Sequence, residues 1–276
     1  MVRHRILAIA LAAALGACGT PKSAEPPAAG DPDPGAGETP TPPPENEPSP
    51  SGAPVTDTFD TSLGKLTVQP IHHATLALTV AGKTIVVDPT SDAPEGWLPK
   101  ADLVLITDIH GDHFDPDALA EVRKADTVIV GPPVVTAKLE GAKTLKNGES
   151  LDVLSIHIEA VPMYNLERGP EPGKLFHDKG RGNGYVLDIG GERVYLSGDT
   201  ECTAEMRALS DIDLAFVCMN LPYTMPPDEA AACVKAFSPA VVIPYHYKGS
   251  DLATFSNALA GTDIDVRVRD FYASPE

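Results

Sequence analysis

Short apolar runs joined by turn residues dominate the chain after its N-terminal part. The runs 74–80 and 83–89 flank an alanine–glycine turn, a pattern typical of two strands in a hairpin. A second hairpin is predicted over residues 184–199, across a pair of glycines. Antiparallel pairing is therefore expected near the start and the middle of the folded part.

Apolar strands followed by helices form the other recurring pattern. The strand predicted over 102–108 contains the unbroken apolar run 103–106, as expected of a strand buried on both faces. Asp115 then provides a helix N-cap and Pro116 a first helical position, which predicts a helix over 115–125. Further helices are predicted over 133–141, 227–237 and 251–260, and a last strand over 264–271. Hairpins alternating with strand–helix units predict an α/β domain with two mixed sheets inside and helices outside.

The N-terminal residues have a different character. Arg3 and Arg5 precede the apolar stretch 6–15, which is too short to span a bilayer comfortably. Small residues then lead to Cys18, so residues 1–18 are interpreted as a signal peptide, with an N-terminal anchor helix as the alternative. The ending Leu-Gly-Ala-Cys resembles the bacterial lipobox. That resemblance implies that Cys18 is lipidated and that the protein is anchored to the bacterial cell envelope, outside the cytoplasm.

Residues 19–56 form a low-complexity segment. Twelve of the 28 prolines lie here, among alanine, glycine, serine and acidic residues. With so little apolar surface to bury, the segment is predicted to be a disordered, extended tether. A passive tail has the same composition and remains the alternative. Residues 57–276 are then predicted to form one catalytic domain.

Charge and cysteine content restrict the possible partners. The formal net charge is −18, which disfavours nucleic acid because binding it depends on lysine and arginine neutralising phosphates. Beyond Cys18 the cysteines are Cys202, Cys218 and Cys233, an odd set without metal-binding spacing. Cys218 and Cys233 lie in apolar surroundings and are expected to be small core residues. A structural disulfide is compatible with export but is not expected.

The stretch TDIHGDH, residues 107–113, carries the strongest chemical signal. In an extended segment Asp108 and His110 point the same way, and Gly111 then allows a tight turn. Asp112 and His113 can face a second position nearby. Imidazole and carboxylate groups are ligands of zinc, iron and manganese. A metal site is therefore predicted here, in preference to a solvated acidic loop.

Two more candidate ligands follow strands elsewhere in the chain, namely Asp199 in SGDT and His246 in PYH. Together with the Asp112-His113 pair they resemble the metallo-β-lactamase fold superfamily. The phrases 72-HHATLAL-78 and 87-VDP-89 resemble the branch of L-ascorbate-6-phosphate lactonase-like hydrolases and, more distantly, N-acylphosphatidylethanolamine phospholipase D. The resemblance covers about residues 65–250. It implies a four-layer αββα sandwich and a binuclear metal-dependent hydrolase.

The family's ligand run is H-x-H-x-D-H, and Asp108 stands where the family generally has histidine. The related branch carries a histidine before a G-x-G-Y-V strand, which His177 matches; a plain loop histidine is the alternative. By resemblance, Asp108, His110 and His177 hold one ion, Asp112, His113 and His246 hold the other, and Asp199 bridges both. Two divalent ions are expected, zinc first, with manganese or iron as alternatives favoured by the extra carboxylate.

The expected chemistry is hydrolysis. A bound ion lowers the pKa of its water to roughly 7, and the hydroxide, oriented by Asp112 and held with the help of Asp199, attacks a carbonyl or phosphoryl centre. A small ester, lactone or phosphodiester is the predicted substrate. A β-lactamase and a non-catalytic metal-binding surface lipoprotein are the alternatives.

Other candidate residues have both a functional and a structural interpretation. His73 is expected either beside the site or in the core, and Asp88 is expected to orient a ligand through a hydrogen bond. Tyr223 is expected either to line a substrate pocket or to belong to a proline-stiffened loop. Lys179 and Arg181 are compatible with binding an anionic substrate group and with a solvated turn, the latter slightly preferred.

Overall fold

The computed structural model describes residues 55–273. The predicted signal peptide, the lipidation site Cys18 and nearly all of the predicted tether lie outside the described residues. Within residues 55–273, no helix combines the length and the apolar character that crossing a bilayer would require.

The first half of the described chain forms a seven-stranded sheet whose strands lie in chain order. Neighbouring strands are antiparallel from β1 to β4 and parallel from β4 to β7. The strands are β1 (Asp57–Thr61), β2 (Gly64–His72), β3 (Thr75–Val80), β4 (Lys83–Val87), β5 (Ala101–Leu105), β6 (Arg123–Gly131) and β7 (Lys143–Thr144).

The second half repeats this arrangement in another seven-stranded sheet. Its strands are antiparallel from β8 to β11 and parallel from β11 to β14. They are β8 (Ser150–Val153), β9 (Ile156–Met163), β10 (Gly182–Ile189), β11 (Glu192–Leu196), β12 (Leu214–Cys218), β13 (Val241–Tyr245) and β14 (Asp265–Val266). The last strand is shorter than predicted, because only its first residues continue the ladder along β13.

Within residues 55–273 there are five helices: α1 (Pro116–Val122), α2 (Pro133–Thr136), α3 (Ala204–Arg207), α4 (Pro227–Phe237) and α5 (Leu252–Leu259). The predicted start of α1 is confirmed, since the Asp115 side chain accepts hydrogen bonds from the backbone of Asp117 and Ala118. The α4 prediction also matches the structure. By contrast, α2 ends at Thr136, well before the predicted residue 141.

Alternate residues of one strand belong to two different cores. Ile85 and Val87 of β4 pack into the large cluster that spans both sheets. Val86, between them, packs into a smaller cluster with Leu119 and Val122 of α1. A strand buried on both faces therefore needs apolar residues at every position. The prediction of two mixed sheets with helices packed against them is confirmed.

The cysteines correct one expectation. Cys202 and Cys233 form a disulfide with their Cα atoms 5.6 Å apart, so the expectation of no structural disulfide is wrong. Cys233 lies on α4, and Cys202 lies in the segment that follows Asp199. No spacing in the sequence signals this pair, because only the packing of α4 brings the two together. Cys218 is a buried free thiol, as predicted.

Candidate metal centre

All seven predicted ligands lie at one edge of the sandwich. The segments after β5, β11 and β13 and the segment before β10 meet there. The side chains fall into two groups, each with one potential ligand atom per residue within 4.8 Å of the others. The four-residue cluster is Asp112, His113, Asp199 and His246, and the three-residue cluster is Asp108, His110 and His177.

In the four-residue cluster, ligand atoms face one another without forming hydrogen bonds. Nε2 of His246 lies 3.2 Å from Oδ1 of Asp199 and 3.4 Å from Oδ2 of Asp112. Nε2 of His113 lies 3.3 Å from Oδ2 of Asp199. Across the described chain, seven buried side-chain nitrogen and oxygen atoms lack a hydrogen-bond partner, and four of them belong to His113, Asp199 and His246.

Such unpartnered buried atoms are costly unless another group satisfies them. An imidazole binds a given ion through one nitrogen, so a single divalent cation would satisfy three of these four atoms: Nε2 of His113, Nε2 of His246 and Oδ1 of Asp199. The four-residue cluster therefore fits a metal ion.

Asp88 fixes the orientation of His113. Its Oδ2 accepts a hydrogen bond from Nδ1 of His113 at 2.8 Å, and the backbone and hydroxyl of Thr107 donate to the same carboxylate. Nε2 of His113 is thereby directed into the four-residue cluster. Burial lowers the pKa of His113, but the carboxylates of Asp199 and Asp88 outweigh burial and raise that pKa well above its usual value.

His73 supports Asp112 from the side of the cavity. Its Nε2 lies 3.2 Å from Oδ2 of Asp112, and its Nδ1 lies 2.6 Å from the hydroxyl of Tyr272. His73, Asp88 and His246 all have positive φ, at 52°, 44° and 47°. Residues other than glycine are strained in this region, and such strain commonly gathers where a side chain must be held in place for function.

In the three-residue cluster, Oδ2 of Asp108 lies 2.8 Å from Nδ1 of His110 and 3.9 Å from Nε2 of His177. Nδ1 of His177 donates to Oδ1 of Asn165, whose amide group donates in turn to Glu201. This network assigns the proton of His177 to Nδ1, which leaves a lone pair on Nε2. That nitrogen lies 3.3 Å from Oδ2 of Asp199.

Sequence reasoning named Arg181 only as a substrate contact or a turn residue and missed its contact with Asp108. Its Nε donates to Oδ1 of Asp108 at 3.2 Å and its Nη2 donates to Oδ2 at 2.9 Å. Arg181 thus belongs to the centre and is not part of a solvated turn, whereas Lys179 pairs with Glu205. Burial raises the pKa of Asp108, but the hydrogen bond from His110 and the charges of His113 and Arg181 lower it to about 2.

Two further contacts were also missed. Asn165 ends the predicted strand segment AVPMYN, at the position where the family usually places a histidine, so a polar residue at that strand end was an available signal. Tyr272 lies beyond the last strand, and no local pattern connects it with His73.

A cavity of about 460 Å³ opens over both clusters. Tyr223 lines it and packs edge-on against Phe176, with ring centroids 5.0 Å apart. Lys248 is the cationic residue among the described lining residues, and Asn220 adds an amide. The lining also includes His73, His110, Asp112, His177, Asp199 and Tyr272.

An αββα sandwich with a histidine–aspartate centre at the shared edge of its sheets is an arrangement typical of metallohydrolases. A family model described as a β-lactamase superfamily domain matches residues 67–246. A UPF0173 metal-dependent hydrolase of Thermus thermophilus is 30% identical over 190 residues, which cover 65% of this chain and 83% of the relative.

Solved structures agree with this result. A crystal structure described as a metal-dependent hydrolase of Parabacteroides distasonis has 44% sequence identity and a TM-score of 0.74, over 78% of this chain and 98% of that chain. Igni18, a metallo hydrolase of Ignicoccus hospitalis, shares the fold at 24% identity, with a TM-score of 0.62 over 76% of this chain and 95% of its own. The chain belongs to the metallo-β-lactamase superfamily, and it is a metal-dependent hydrolase.

Proposed function

We propose that the enzyme hydrolyses a small ester, lactone or phosphodiester with a divalent cation held by Asp112, His113, Asp199 and His246. The observation that carries the proposal is the set of buried, unpartnered ligand atoms beside a small cavity. Zinc is the expected ion, with manganese or iron as alternatives, because two imidazoles and two carboxylates suit all three. A bound divalent ion supplies Lewis acidity and makes hydroxide available near neutral pH.

Asp112 orients the attacking water. Its carboxylate is half-buried and lines the cavity, and Nε2 of His73 donates to its Oδ2 while Tyr272 donates to the other ring nitrogen. Burial raises the pKa of Asp112, but the adjacent imidazoles of His246 and His73 outweigh burial and hold that pKa far below its usual range. Asp112 therefore stays ionised and accepts a hydrogen bond from the water.

The cavity favours a small substrate. Its lining offers one lysine, Lys248, for an anionic group, and it also contains the carboxylate of Asp92. A volume of about 460 Å³ is near the lower end of ligand pockets. Lys248 provides a cation at the wall, and Asn220 and Tyr223 provide hydrogen-bond donors. A carboxylate or phosphate near the scissile bond would pair with Lys248. The lactone and phosphodiester classes come from the branch that the sequence resembles, and that branch stays a prediction.

The enzyme acts outside the cytoplasm, attached to the bacterial cell envelope through lipid on Cys18. The lipobox-like ending of residues 1–18 supports this location. The disulfide between Cys202 and Cys233 supports it independently, because such bonds persist in oxidising compartments.

The proposal is tested with the full-length protein on a panel of esters, lactones, bis-p-nitrophenyl phosphate and the β-lactam nitrocefin. Turnover of one of the first three classes is expected, together with its loss on chelation, its return with added metal and its absence in Asp199→Ala. Turnover of nitrocefin alone would identify a β-lactamase instead. If Asp199→Ala kept full activity, or if no turnover depended on metal, the proposal would be wrong.

A second ion is predicted at Asp108, His110 and His177. Binding it requires that the carboxylate of Asp108 be free. That carboxylate is already paired with Arg181.

A further inference from the structure

We propose that Arg181 takes the place of the second metal ion, so that each chain holds one divalent cation instead of the two expected in this superfamily. The inference rests on the proposed metal site at the four-residue cluster. It concerns only the three-residue cluster.

The contact between Arg181 and Asp108 is a two-point ion pair. Nε and Nη2 of the guanidinium reach one carboxylate oxygen each, a geometry that adds directional specificity to the charge attraction. Asp108 is completely buried, whereas Arg181 keeps about a quarter of its side chain exposed. The aspartate therefore has a permanent partner, because an arginine in a protein is not deprotonated.

The oxygen that would bind an ion is already in use. Oδ2 of Asp108 receives Nη2 of Arg181 at 2.9 Å and also lies 2.8 Å from Nδ1 of His110. A divalent cation bound to the same oxygen would lie close to the guanidinium, and the two positive charges would repel each other in a poorly solvated position. Binding an ion here requires Arg181 to withdraw.

Hydrogen-bond satisfaction separates the two clusters. Four buried atoms of the four-residue cluster lack a partner. In the three-residue cluster, both oxygens of the buried Asp108 accept hydrogen bonds from Arg181, and His110 is exposed to solvent. His177 does keep a lone pair on Nε2, directed towards Asp199. The ligand atoms of the three-residue cluster are therefore still arranged as in a metal site. The ion pair between Asp108 and Arg181 is what prevents an ion from binding there.

The backbone holds Arg181 in this position. The next residue, Gly182, packs so closely that a Cβ atom there would lie 2.2 Å from the side chain of Met163 and 2.9 Å from the carbonyl oxygen of Thr107. The backbone N–H of Asn183 donates to that same carbonyl at 2.9 Å. The start of β10 therefore packs against Thr107, the residue before Asp108. This contact places the guanidinium of Arg181 beside the carboxylate of Asp108.

The ion pair of Asp108 and Arg181 has no net charge. Aspartate in place of the family's histidine adds a negative charge, and Arg181 removes it, so the pair is neutral as an imidazole is. A fixed guanidinium within the three-residue cluster then supplies a positive charge that no chelator can remove.

The experiment counts metal ions per chain. The full-length protein is stripped with a chelator, reloaded with excess Zn²⁺, or with Co²⁺ as a spectroscopic probe, desalted and measured by elemental mass spectrometry. One ion per wild-type chain is expected. Arg181→Gln is expected to bind a second ion, because Asp108 becomes available, while Arg181→Lys, which keeps the charge, stays at one.

Lys179→Gln is the matched control, since it removes the same charge from the same segment without touching Asp108. It is expected to hold one ion. Two ions in the wild type, one in Arg181→Gln, or two in Lys179→Gln would each overturn the inference and leave the hydrolase proposal intact. No ion in the wild type would instead overturn the proposed metal site and the inference with it. The number of ions per wild-type chain tests the inference even if Arg181→Gln does not fold.

Discussion

The four-residue and three-residue clusters share an edge of the sandwich and draw on the same short segment, residues 108–113. Asp199 of the first cluster also lies 3.3 Å from Nε2 of His177 in the second. The two clusters nevertheless differ in whether their side chains need a metal ion to be satisfied. The first contains buried atoms that nothing in the described chain satisfies, and the second contains a carboxylate already paired with a cation. Residue types alone do not define a metal site; the partners that those residues already have decide whether an ion is required.

The supporting residues show the same difference. A carboxylate, Asp88, accepts from His113 in the four-residue cluster. A neutral amide, Asn165, accepts from His177 in the three-residue cluster. A carboxylate makes the imidazole a stronger ligand than an amide does, so the stronger support lies where the unpartnered atoms are.

The largest expected effect comes from comparing His113→Ala with His177→Ala. Loss of His113 should remove the ion, and because a catalytic metal contributes several kcal/mol, kcat/KM should fall by roughly 10³-fold or more. His177→Ala should keep the ion and lose much less activity. Bound metal and kcat/KM, measured on the same samples, check both variants. Equal loss of metal in the two variants would mean that the clusters do not differ.

A smaller effect is expected from the supporting residues. Asp88→Asn should weaken metal affinity roughly 10–100-fold, because His113 loses the acceptor that directs its Nε2. Asn165→Ala should leave metal affinity unchanged, since His177 is not required to hold the ion. Competition with a chromophoric chelator measures both affinities, and thermal melts confirm that both variants fold. Weakened metal binding in Asn165→Ala would assign His177 a ligand role.

The smallest effect concerns the pH dependence of the metal-free protein. The pKa of Asp108 is about 2 in the folded state and about 3.9 when unfolded, so its pairing stabilises the fold fully above the unfolded pKa. That stability, about 2 kcal/mol, should be lost as pH falls through about 2. Urea unfolding of chelator-treated wild type and Asp108→Asn should therefore show a difference in free energy of unfolding that shrinks from pH 6 towards acid. A constant difference would show that Asp108 is not paired in solution.

Much of this molecule follows from local patterns. Strand alternation, the cap at Asp115, the apolar run over 103–106 and the turn at Gly111 depend on neighbours within a few residues, so the sequence predicts them. The strand-end positions of Asp199 and His246 also follow, since polar groups gather where parallel strands of a layered α/β fold end. The sequence thereby determined the sandwich, the position of the centre and the identity of its candidate ligands.

Only the tertiary structure decided which of these ligands already have partners. The pairing of Arg181 with Asp108 spans 73 residues, and that of His73 with Tyr272 spans 199. The disulfide of Cys202 likewise depends on how α4 packs. Hydrogen bonds and ion pairs act over a few ångströms, and no periodicity along the chain specifies which distant side chains will come within that range. The sequence therefore determined where a metal could bind, and the packing of β10 against the segment after β5 decided how much of that site remains open.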